Sequence, residues 1–371
     1  MNGAVQHVHI VCFTRNGLEL SHLLCTQLAA LHVDAAVSYA GRPEHLCGSA
    51  SAGTVAAVTL GQWVQEHFLS GHALVYVGAA GIAVRSIAPF VKDKCADPAV
   101  LVLDEKGQFV IPLLSGHIGG ANELAQLLAG ITGGHAALTT ATDVNALFSV
   151  DVCARKNHCT ISSMEKAKLF SAALLESHRA FVLQPAAFRD SIVIEHVPPE
   201  LSLVPEDSPQ LPQAAATVLV SPAAGCDVPG SPLQLVPSCL VAGVGCKKGT
   251  PVQALRDFVS GVLAEHGLHA AAVAAVASID VKAGEAAVQE LAAVFRVPAL
   301  FFAAGELEAV QGDFLPSEFV QRTVGVDNVC ERAAVAAGAS RLLVRKTARD
   351  GMTVAVGIRT VHISLSEGGA A

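Results

Sequence analysis

Short apolar runs alternate with longer amphipathic segments over most of this sequence, and this alternation constrains the fold more than any other feature. Residues 8–13 are almost entirely apolar, and ALVYV (73–77) is a second such run. Residues 18–28 and 60–68 carry apolar side chains at helical spacing. Strands that alternate with helices favour parallel sheets covered by helices on their faces. We therefore predict an α/β fold with two Rossmann-like, three-layer α/β lobes joined by a smaller middle region.

The strength of this pattern divides the chain into three parts. Residues 1–146 are predicted to form an N-terminal α/β domain with glycine-turn motifs. Strand and helix signals weaken over 147–237, which contains a proline-rich stretch, so this part is predicted to be a middle domain or a linker. The alternation returns over 238–371, the predicted C-terminal α/β domain. A hairpin with Asp350-Gly351 at its turn is expected near its end.

Composition excludes several classes of protein. Apolar residues make up 52% of the 371 residues and charged residues only 15%, which excludes a disordered chain. The formal net charge of −8 attracts neither nucleic acid nor an anionic membrane, so neither partner is expected. No apolar stretch reaches the roughly 18 residues of a membrane span. The N-terminus lacks the features of a signal peptide, so a cytoplasmic location is expected.

Cysteine and histidine spacing gives little sign of a metal site. The ten cysteines are scattered and form no Cys-x-x-Cys pair, so free thiols in a reducing cytoplasm are expected. His7 and His9 lie on one face of the first predicted strand and could bind a metal. A pair of histidines without further ligands is more often structural, and we favour that interpretation.

Three glycine-bearing turns follow predicted strands, at Gly78 to Gly81, Gly116 to Gly120 and Gly243 to Gly249. Ligands of open α/β sheets bind beyond the carboxyl ends of strands, and helix N-termini offer N–H groups to carboxylates or phosphates. An ordinary tight turn explains any one of them, but three together favour anion binding. GVGCKKG is one residue too long for a dinucleotide fingerprint, and no P-loop occurs.

The second turn carries side chains suited to chemistry, within LLSGHIGGANELA (113–125). His117 could be a general base near neutral pH, or it could cap or pack against the helix that follows. Glu123 lies at the predicted helix start, where it favours the helix dipole. Asp143 lies in TTATDVNA (139–146), which is either a polar rim for a ligand or an Asx-type turn.

The candidate binding residues share a position near one of the three turns or in a polar loop after a predicted strand. They are Gly78, Gly81, Ser115, Gly116, Gly119, Gly120, Asn122, Thr139, Thr140, Asn145, Gly243, Gly245, Lys247, Lys248 and Lys282. The lysines would meet anionic groups of a ligand, although a solvated loop also explains Lys247 and Lys248. These residues predict a site for a polyanionic small molecule.

These motifs resemble those of the cobalt-precorrin-5A hydrolases of anaerobic cobalamin biosynthesis. The more specific ones are GAAGIAVRSIAP, DEKGQFVIPLLSGHIGGANELA and ALTTATDVN in the first lobe. The second lobe adds VAGVGCKKGT, ASIDVKAGE and FFAAGEL. The resemblance spans most of the chain in the family's order but covers the middle region poorly. Ala304 and Gly305 stand where an acidic residue is common before Glu306, and Ser278 stands where threonine is common.

The resemblance implies a hydrolase that opens the ring A δ-lactone of cobalt-precorrin-5A, with loss of acetaldehyde, to give cobalt-precorrin-5B. The implied partner is an anionic cobalt-tetrapyrrole substrate, with transient hand-over to neighbouring pathway enzymes. Cobalt then enters as part of the substrate, so no cofactor and no protein-held metal are expected. By residue type and position, His117 is the candidate base, or alternatively an acid for the departing fragment, with Glu123 or Asp143 to orient it. The backbone at Gly119 and Gly120 is the candidate site for an oxyanion or a carboxylate.

Two other functions remain open at this point. A non-catalytic corrinoid-intermediate binding protein would hold the same macrocycle without releasing acetaldehyde. A nucleotide- or phosphate-dependent enzyme would use the glycine turns for phosphate groups, although the imperfect glycine fingerprint argues against it.

Overall fold

The chain divides into two compact units, Met1–Lys156 and Asn157–Ala371. The computed structural model describes residues 5–41, 56–93, 96–117, 119–205, 216–225, 232–316, 321 and 325–366. Both units combine strands with helices, and the predicted α/β fold is confirmed. No helix within these ranges is both long enough and apolar enough to cross a membrane.

The first unit is built on a seven-stranded sheet. Its strands are β1 (His7–Cys12), β2 (Asp34–Tyr39), β3 (Ala56–Ala57), β4 (His72–Val77), β5 (Ala99–Leu103), β6 (Phe109–Leu114) and β7 (His135–Ala136). Its helices are α1 (Arg15–Ala30), α2 (Leu60–His67), α3 (Ala80–Ile87), α4 (Ala121–Thr132), α5 (Ala141–Val144) and α6 (Val150–Lys156). The strand order is β3-β2-β1-β4-β5-β6-β7.

Alternate residues of these strands belong to two hydrophobic cores, one on each face of the sheet. Ile10 packs with Leu24 of α1 and Leu124 of α4 on one face. Val11, the next residue of β1, packs with Trp63 of α2 on the other face, where α3 also contributes. Helices therefore cover both faces, as the predicted three-layer arrangement requires.

The direction of β6 decides where the candidate site lies. Strands β1 to β5 run parallel, whereas β6 pairs antiparallel with β5 and β7 pairs parallel with β6. In this hairpin Leu114, the last residue of β6, lies opposite Val100 near the start of β5. The loop after β6 therefore leaves from the edge of the sheet formed by the amino-terminal ends of β4 and β5. It does not leave from the edge formed by their carboxyl-terminal ends.

The second unit contains most of the remaining elements. Its strands are β8 (Cys159–Ile161), β9 (Ala180–Leu183), β10 (Ile192–Glu195), β11 (Leu201–Val204), β12 (Thr217–Val220), β13 (Leu233–Pro237), β14 (Leu240–Gly245), β15 (Val273–Ile279), β16 (Ala299–Phe302), β17 (Arg341–Arg349), β18 (Met352–Ile358) and β19 (Val361–Ser364). Its helices are α7 (Met164–Ser177), α8 (Val252–Glu265), α9 (Ala286–Phe295), α10 (Ala304–Ala309) and α11 (Val329–Ala336).

Most of the region 147–237 belongs to this second unit and forms a sheet of its own. The strand order is β11-β9-β12-β13-β8, and only β8 pairs antiparallel with its neighbour. A separate two-stranded sheet pairs β10 with β19, which ties residues 192–195 to residues 361–364. Strands of three to five residues explain why the sequence pattern is weak here.

The last sheet has the order β16-β15-β14-β18-β17 and is also covered on both faces. Helices α8 and α9 pack on one face and α10 and α11 on the other. The predicted hairpin is confirmed, since β17 and β18 pair antiparallel around Asp350 and Gly351. Both turn residues have positive φ, 52° and 80°, as a type I′ turn requires.

Candidate active site

Two polar loops meet in the first unit because they follow neighbouring parallel strands. Phe109 of β6 lies opposite His135 of β7, and the two strands run in the same direction. The glycine-rich loop of residues 115–120 follows β6, and residues 139–145 follow β7. Both loops therefore leave the same edge of the sheet, and their side chains come into contact.

His117 and Asp143 form the centre of this contact. The His117 Nε2 atom lies 2.9 Å from Oδ2 of Asp143, and each side chain is 13% exposed. An ionised carboxylate only accepts hydrogen bonds, so Nε2 carries the proton when the imidazole is neutral. The other ring nitrogen, Nδ1, then presents a lone pair and has the form of a general base.

Asp143 is held by a second donor, the amide of Asn122 in the first turn of α4. The Asn122 Nδ2 atom lies 2.7 Å from Oδ2 of Asp143 and 3.2 Å from Oγ1 of Thr140. Asn122 is buried, so its amide keeps a fixed orientation. Four of the predicted site residues are thus brought together by the fold.

Ser149 also contacts His117, and sequence reasoning missed it. Its Oγ lies 3.3 Å from Nδ1 of His117, so the hydroxyl donates to the lone pair of the imidazole. Ser149 is 3% exposed, and its carbonyl accepts a hydrogen bond from the N–H of Cys153 at the start of α6. Asp143, His117 and Ser149 therefore form a chain in the order acid, base and hydroxyl. No Gly-x-Ser-x-Gly pattern surrounds Ser149, so the residues around it indicate only the start of a helix.

Glu123 has a different partner from the one considered at first. Its Oε2 atom lies 2.7 Å from a guanidinium nitrogen of Arg155, which sequence reasoning also missed. The glutamate side chain is 37% exposed and the arginine 14%. Of the two candidates to orient His117, Asp143 contacts the imidazole and Glu123 pairs with Arg155 instead. The catalytic role assigned to Glu123 stays a prediction.

The glycines of the loop after β6 permit close packing against α4 and within the loop itself. A Cβ atom on Gly116 would lie 2.7 Å from Oδ1 of Asn122. A Cβ atom on Gly119 would lie 2.9 Å from the carbonyl oxygen of Ser115. Gly120 is the N-cap of α4 with φ of 80°, a conformation that favours glycine. The space beside the glycine backbone is therefore filled by residues of the loop itself and of α4.

The N-terminal N–H groups of α4 are also engaged by this loop. Ala121 donates to the carbonyl of Ser115 and Asn122 donates to that of Gly116, at 3.2 and 2.9 Å. The Gly120 N–H lies 3.2 Å from the carbonyl of His117. An oxyanion or a carboxylate at Gly120 must therefore displace an internal hydrogen bond. The Ser115 hydroxyl donates to the carbonyl of Asp97 at 2.8 Å, which anchors the loop to the residues before β5.

The remaining first-lobe candidates lie apart from His117 or point elsewhere. Gly78 follows β4 and its N–H donates to the carbonyl of Leu103, at the far end of β5. Four residue steps of β5 separate that end from the His117 loop, or about 13 Å. Gly81 lies in the first turn of α3, beyond the same edge as Gly78. Thr139 is exposed, and Asn145 donates to the carbonyl of Ala141 within its own turn. The binding roles of these four residues stay predictions.

In the second unit, the glycines of β14 have packing roles. Gly243 lies inside the strand, and a Cβ atom there would overlap the carbonyl oxygen of Cys330 in α11. A Cβ atom on Gly245 would lie 2.7 Å from Oγ1 of Thr353 in β18. The glycine turn predicted to begin at Gly243 is therefore a strand up to Gly245, and the turn comes after it.

The lysines of the second unit cluster beyond β14 and β15, which are parallel neighbours. Glu285 links the two loops, since it accepts from the N–H of Gly249 at 2.8 Å and lies 3.7 Å from Nζ of Lys282. Lys247 and Lys248 are exposed in the loop after β14. An anion at Lys282 would compete with Glu285, whereas the two exposed lysines offer ammonium groups to solvent.

Among the cysteines that the structure describes, the buried thiols of Cys12 and Cys239 are less reactive groups than His117. The cysteines that the structure describes are free, and most are buried. Burial raises the pKa of Cys12 to about 11 and that of Cys239 to about 12. Both thiols are therefore protonated near neutral pH and are poor nucleophiles.

A carboxylate, an imidazole and a hydroxyl in sequence form an arrangement that hydrolytic enzymes use. Residues 62–143 match the family model described as Cobalamin synthesis G N-terminal, and residues 240–357 match Cobalamin synthesis G C-terminus. The first match includes both His117 and Asp143.

Comparison with individual proteins narrows the class further. A cobalt-precorrin-5A hydrolase of Salmonella typhimurium is 37% identical over 300 residues, 79% of this chain and 84% of the relative. A second, of Priestia megaterium, is 30% identical over 304 residues, 78% of this chain and 79% of the relative. Protein CobE of Sinorhizobium sp is 37% identical over 107 residues, 28% of this chain and 70% of the relative. The chain belongs to the cobalt-precorrin-5A hydrolase family and is an enzyme.

Proposed function

We propose that this enzyme opens the ring A δ-lactone of cobalt-precorrin-5A and releases acetaldehyde, giving cobalt-precorrin-5B. The observation that carries the proposal is the contact of 2.9 Å between His117 and Asp143 in a partly exposed loop. Hydrolysis of a lactone needs a positioned base and a water, followed by stabilisation of the oxyanion. A neutral imidazole held by a carboxylate is such a base.

In the proposed first step, Nδ1 of His117 takes a proton from a water molecule that attacks the lactone carbonyl. Asp143 holds the ring orientation and stabilises the imidazolium that forms. The contact of 3.3 Å between Nδ1 and the Ser149 hydroxyl is long for a hydrogen bond, so the lone pair is only weakly engaged. The imidazolium returns this proton to the ester oxygen, which leaves as an alcohol that carries the two carbons of the departing fragment.

Direct attack by Ser149 is the alternative route through the same three residues. We assign Ser149 a positioning role because the residue is 3% exposed and lies at the start of α6. A nucleophile has to reach the lactone carbonyl, whereas a positioning hydroxyl only has to reach the imidazole. The water route therefore fits the burial of Ser149 better.

The second step breaks a carbon–carbon bond. Loss of the alcohol proton forms the C=O bond of acetaldehyde, and the electron pair of the broken bond passes into the conjugated macrocycle, which is then protonated. The neutral imidazole of His117 can accept the alcohol proton and then donate it to the macrocycle. No redox change and no resident cofactor enter this scheme, since the cobalt comes with the substrate.

The substrate carries several carboxylate arms, so the enzyme needs local positive groups despite its formal net charge of −8. Lys247 and Lys248 are exposed and are our candidates for arms of the macrocycle. Transient hand-over to neighbouring pathway enzymes and a cytoplasmic location complete the proposal. The free cysteines of the described residues fit a reducing compartment.

The proposal is tested by incubating the purified protein with enzymatically prepared cobalt-precorrin-5A. Acetaldehyde is measured by coupling it to NADH oxidation with alcohol dehydrogenase, and a reaction without the protein is the control. We expect many equivalents of acetaldehyde per chain. Tight binding of the macrocycle without acetaldehyde would instead identify a corrinoid-intermediate binding protein. If the protein neither binds the macrocycle nor releases acetaldehyde, both proposals are contradicted.

A further inference from the structure

Four histidines lie at the edge of the first sheet where β1 and β4 begin. His7 and His9 alternate along β1, and His7 lies opposite His72, the first residue of β4. His67 is the last residue of α2, which covers this face of the sheet. Three elements thus bring imidazoles together. We call His9, His67 and His72 the histidine cluster.

The three imidazoles of the cluster are in direct contact. The Nε2 atom of His9 lies 3.0 Å from Nδ1 of His72. The rings of His9 and His67 stack with centroids 3.9 Å apart and planes 11° apart. One nitrogen from each of the three residues lies within 4.8 Å of the other two. All three residues are half-buried, so solvent and ions retain access to them.

His7, the fourth histidine at this edge, is not part of the cluster. Its Nδ1 lies 2.6 Å from Oδ2 of Asp34.

We propose that the histidine cluster binds one divalent transition-metal ion of the zinc type, with a solvent molecule in the fourth position. Zinc binds histidine nitrogens at about 2.0–2.1 Å, which places tetrahedral nitrogens roughly 3.3 Å apart. Side-chain rotations that close the present separation of up to 4.8 Å complete the site. Imidazole nitrogens suit zinc, copper, nickel and cobalt. Magnesium and calcium prefer oxygen ligands, and none of the three cluster side chains is a carboxylate.

This site differs from the sequence expectation of no protein-held metal. The sequence shows only His7 and His9 as a pair on one strand, whereas His67 and His72 come from elements about 60 residues further on. The proposal does not rest on lactone hydrolysis. His117 belongs to the loop after β6 and is outside the cluster, so metal binding is measured without reference to activity.

The test uses the full-length protein, stripped with a chelator and titrated with Zn²⁺ against a chromophoric competitor. We expect one ion per chain, and we expect His67→Gln and His72→Gln to weaken binding at least tenfold. His266→Gln is the matched control, because this exposed histidine ends α8 in the other unit. The control should bind Zn²⁺ like the wild type. Zn²⁺ should also raise the Tm of the wild type but not that of the two cluster variants.

A second measurement covers the case in which a cluster variant does not fold. Wild-type protein loaded with Co²⁺ should show the strong visible bands of a four-coordinate ion and magnetic coupling to three imidazole nitrogens. A spectrum of hydrated Co²⁺, or less than one bound Zn²⁺ per chain, would overturn the proposal. Folded cluster variants that bind Zn²⁺ as tightly as the wild type would also overturn it.

Discussion

Asp143 accepts a hydrogen bond from His117 across 2.9 Å, although 26 residues separate the two in the chain. The contact exists because β6 and β7 are parallel neighbours and their following loops leave the same edge of the sheet. Asn122 donates to the same carboxylate oxygen at 2.7 Å. The orientation of His117 therefore depends on Asp143, and Asn122 in turn holds Asp143 in place.

Replacing Asp143 with asparagine should lower kcat by about 10² to 10⁴. An asparagine amide can donate to Nε2 of His117, which favours the tautomer in which Nδ1 carries the proton. The base is then lost although the fold is kept. Acetaldehyde release at saturating substrate measures the change. A kcat within threefold of the wild type would show that Asp143 does not orient the base.

Glu123→Gln should keep most of the activity. The Glu123 carboxylate pairs with Arg155, and its side chain is 37% exposed, so the pair contributes at most about 1 kcal/mol to stability. We expect kcat within about threefold of the wild type and a small decrease in Tm. This variant also replaces a carboxylate with an amide, in the first turn of α4 beside Asn122, so it is the matched control for Asp143→Asn. A loss of kcat as large as that of Asp143→Asn would restore Glu123 as a catalytic candidate.

Ser149→Ala distinguishes a positioning hydroxyl from a nucleophile. The water route predicts a loss of kcat below about tenfold, because His117 keeps its contact with Asp143. The measurement is acetaldehyde release, with a rapid-mixing trace of the wild type to look for an early burst of product. A loss of 10⁴-fold or more in the variant, with a burst in the wild type, would show that Ser149 forms a covalent intermediate.

Gly116→Ala should impair activity through Asn122. The new Cβ atom would lie 2.7 Å from Oδ1 of Asn122, and the displaced amide would no longer support Asp143. We expect at least a tenfold loss of kcat and about 1–3 kcal/mol of lost stability. Gly130→Ala in α4 is the control, because its Cβ atom meets nothing within 4 Å. The free energy of unfolding in urea and kcat are measured for both variants. Equal values for the two variants would contradict the assigned contact between Gly116 and Asn122.

Much of the fold can be predicted from the sequence because its signals are local. The buried run of β4 and the glycine turn around Asp350 and Gly351 each act over a few residues. The sheet formed by residues 159–237 was harder to predict, since its strands have three to five residues and carry little periodicity. Pairing of β10 with β19 joins segments about 170 residues apart, and no local signal predicts it.

The site was predictable in its residue types and less so in its contacts. His117 and Asp143 stand out because imidazole and carboxylate groups follow apolar strands. Ser149 does not, because a serine before a helix is ordinarily a cap. The reversal of β6 also matters, since it places Gly78 and His117 at opposite edges of one sheet. The histidine cluster depends on the same kind of information, the order and direction of strands.

The most direct test of the account is acetaldehyde release by His117→Ala, measured beside the Tm of the same preparation. We predict a loss of kcat of about 10² to 10⁴ with a Tm close to that of the wild type. That result would assign the imidazole to the reaction. Full activity in the variant, or a large decrease in Tm that accounts for lost activity, would make His117 a structural residue and contradict the central claim.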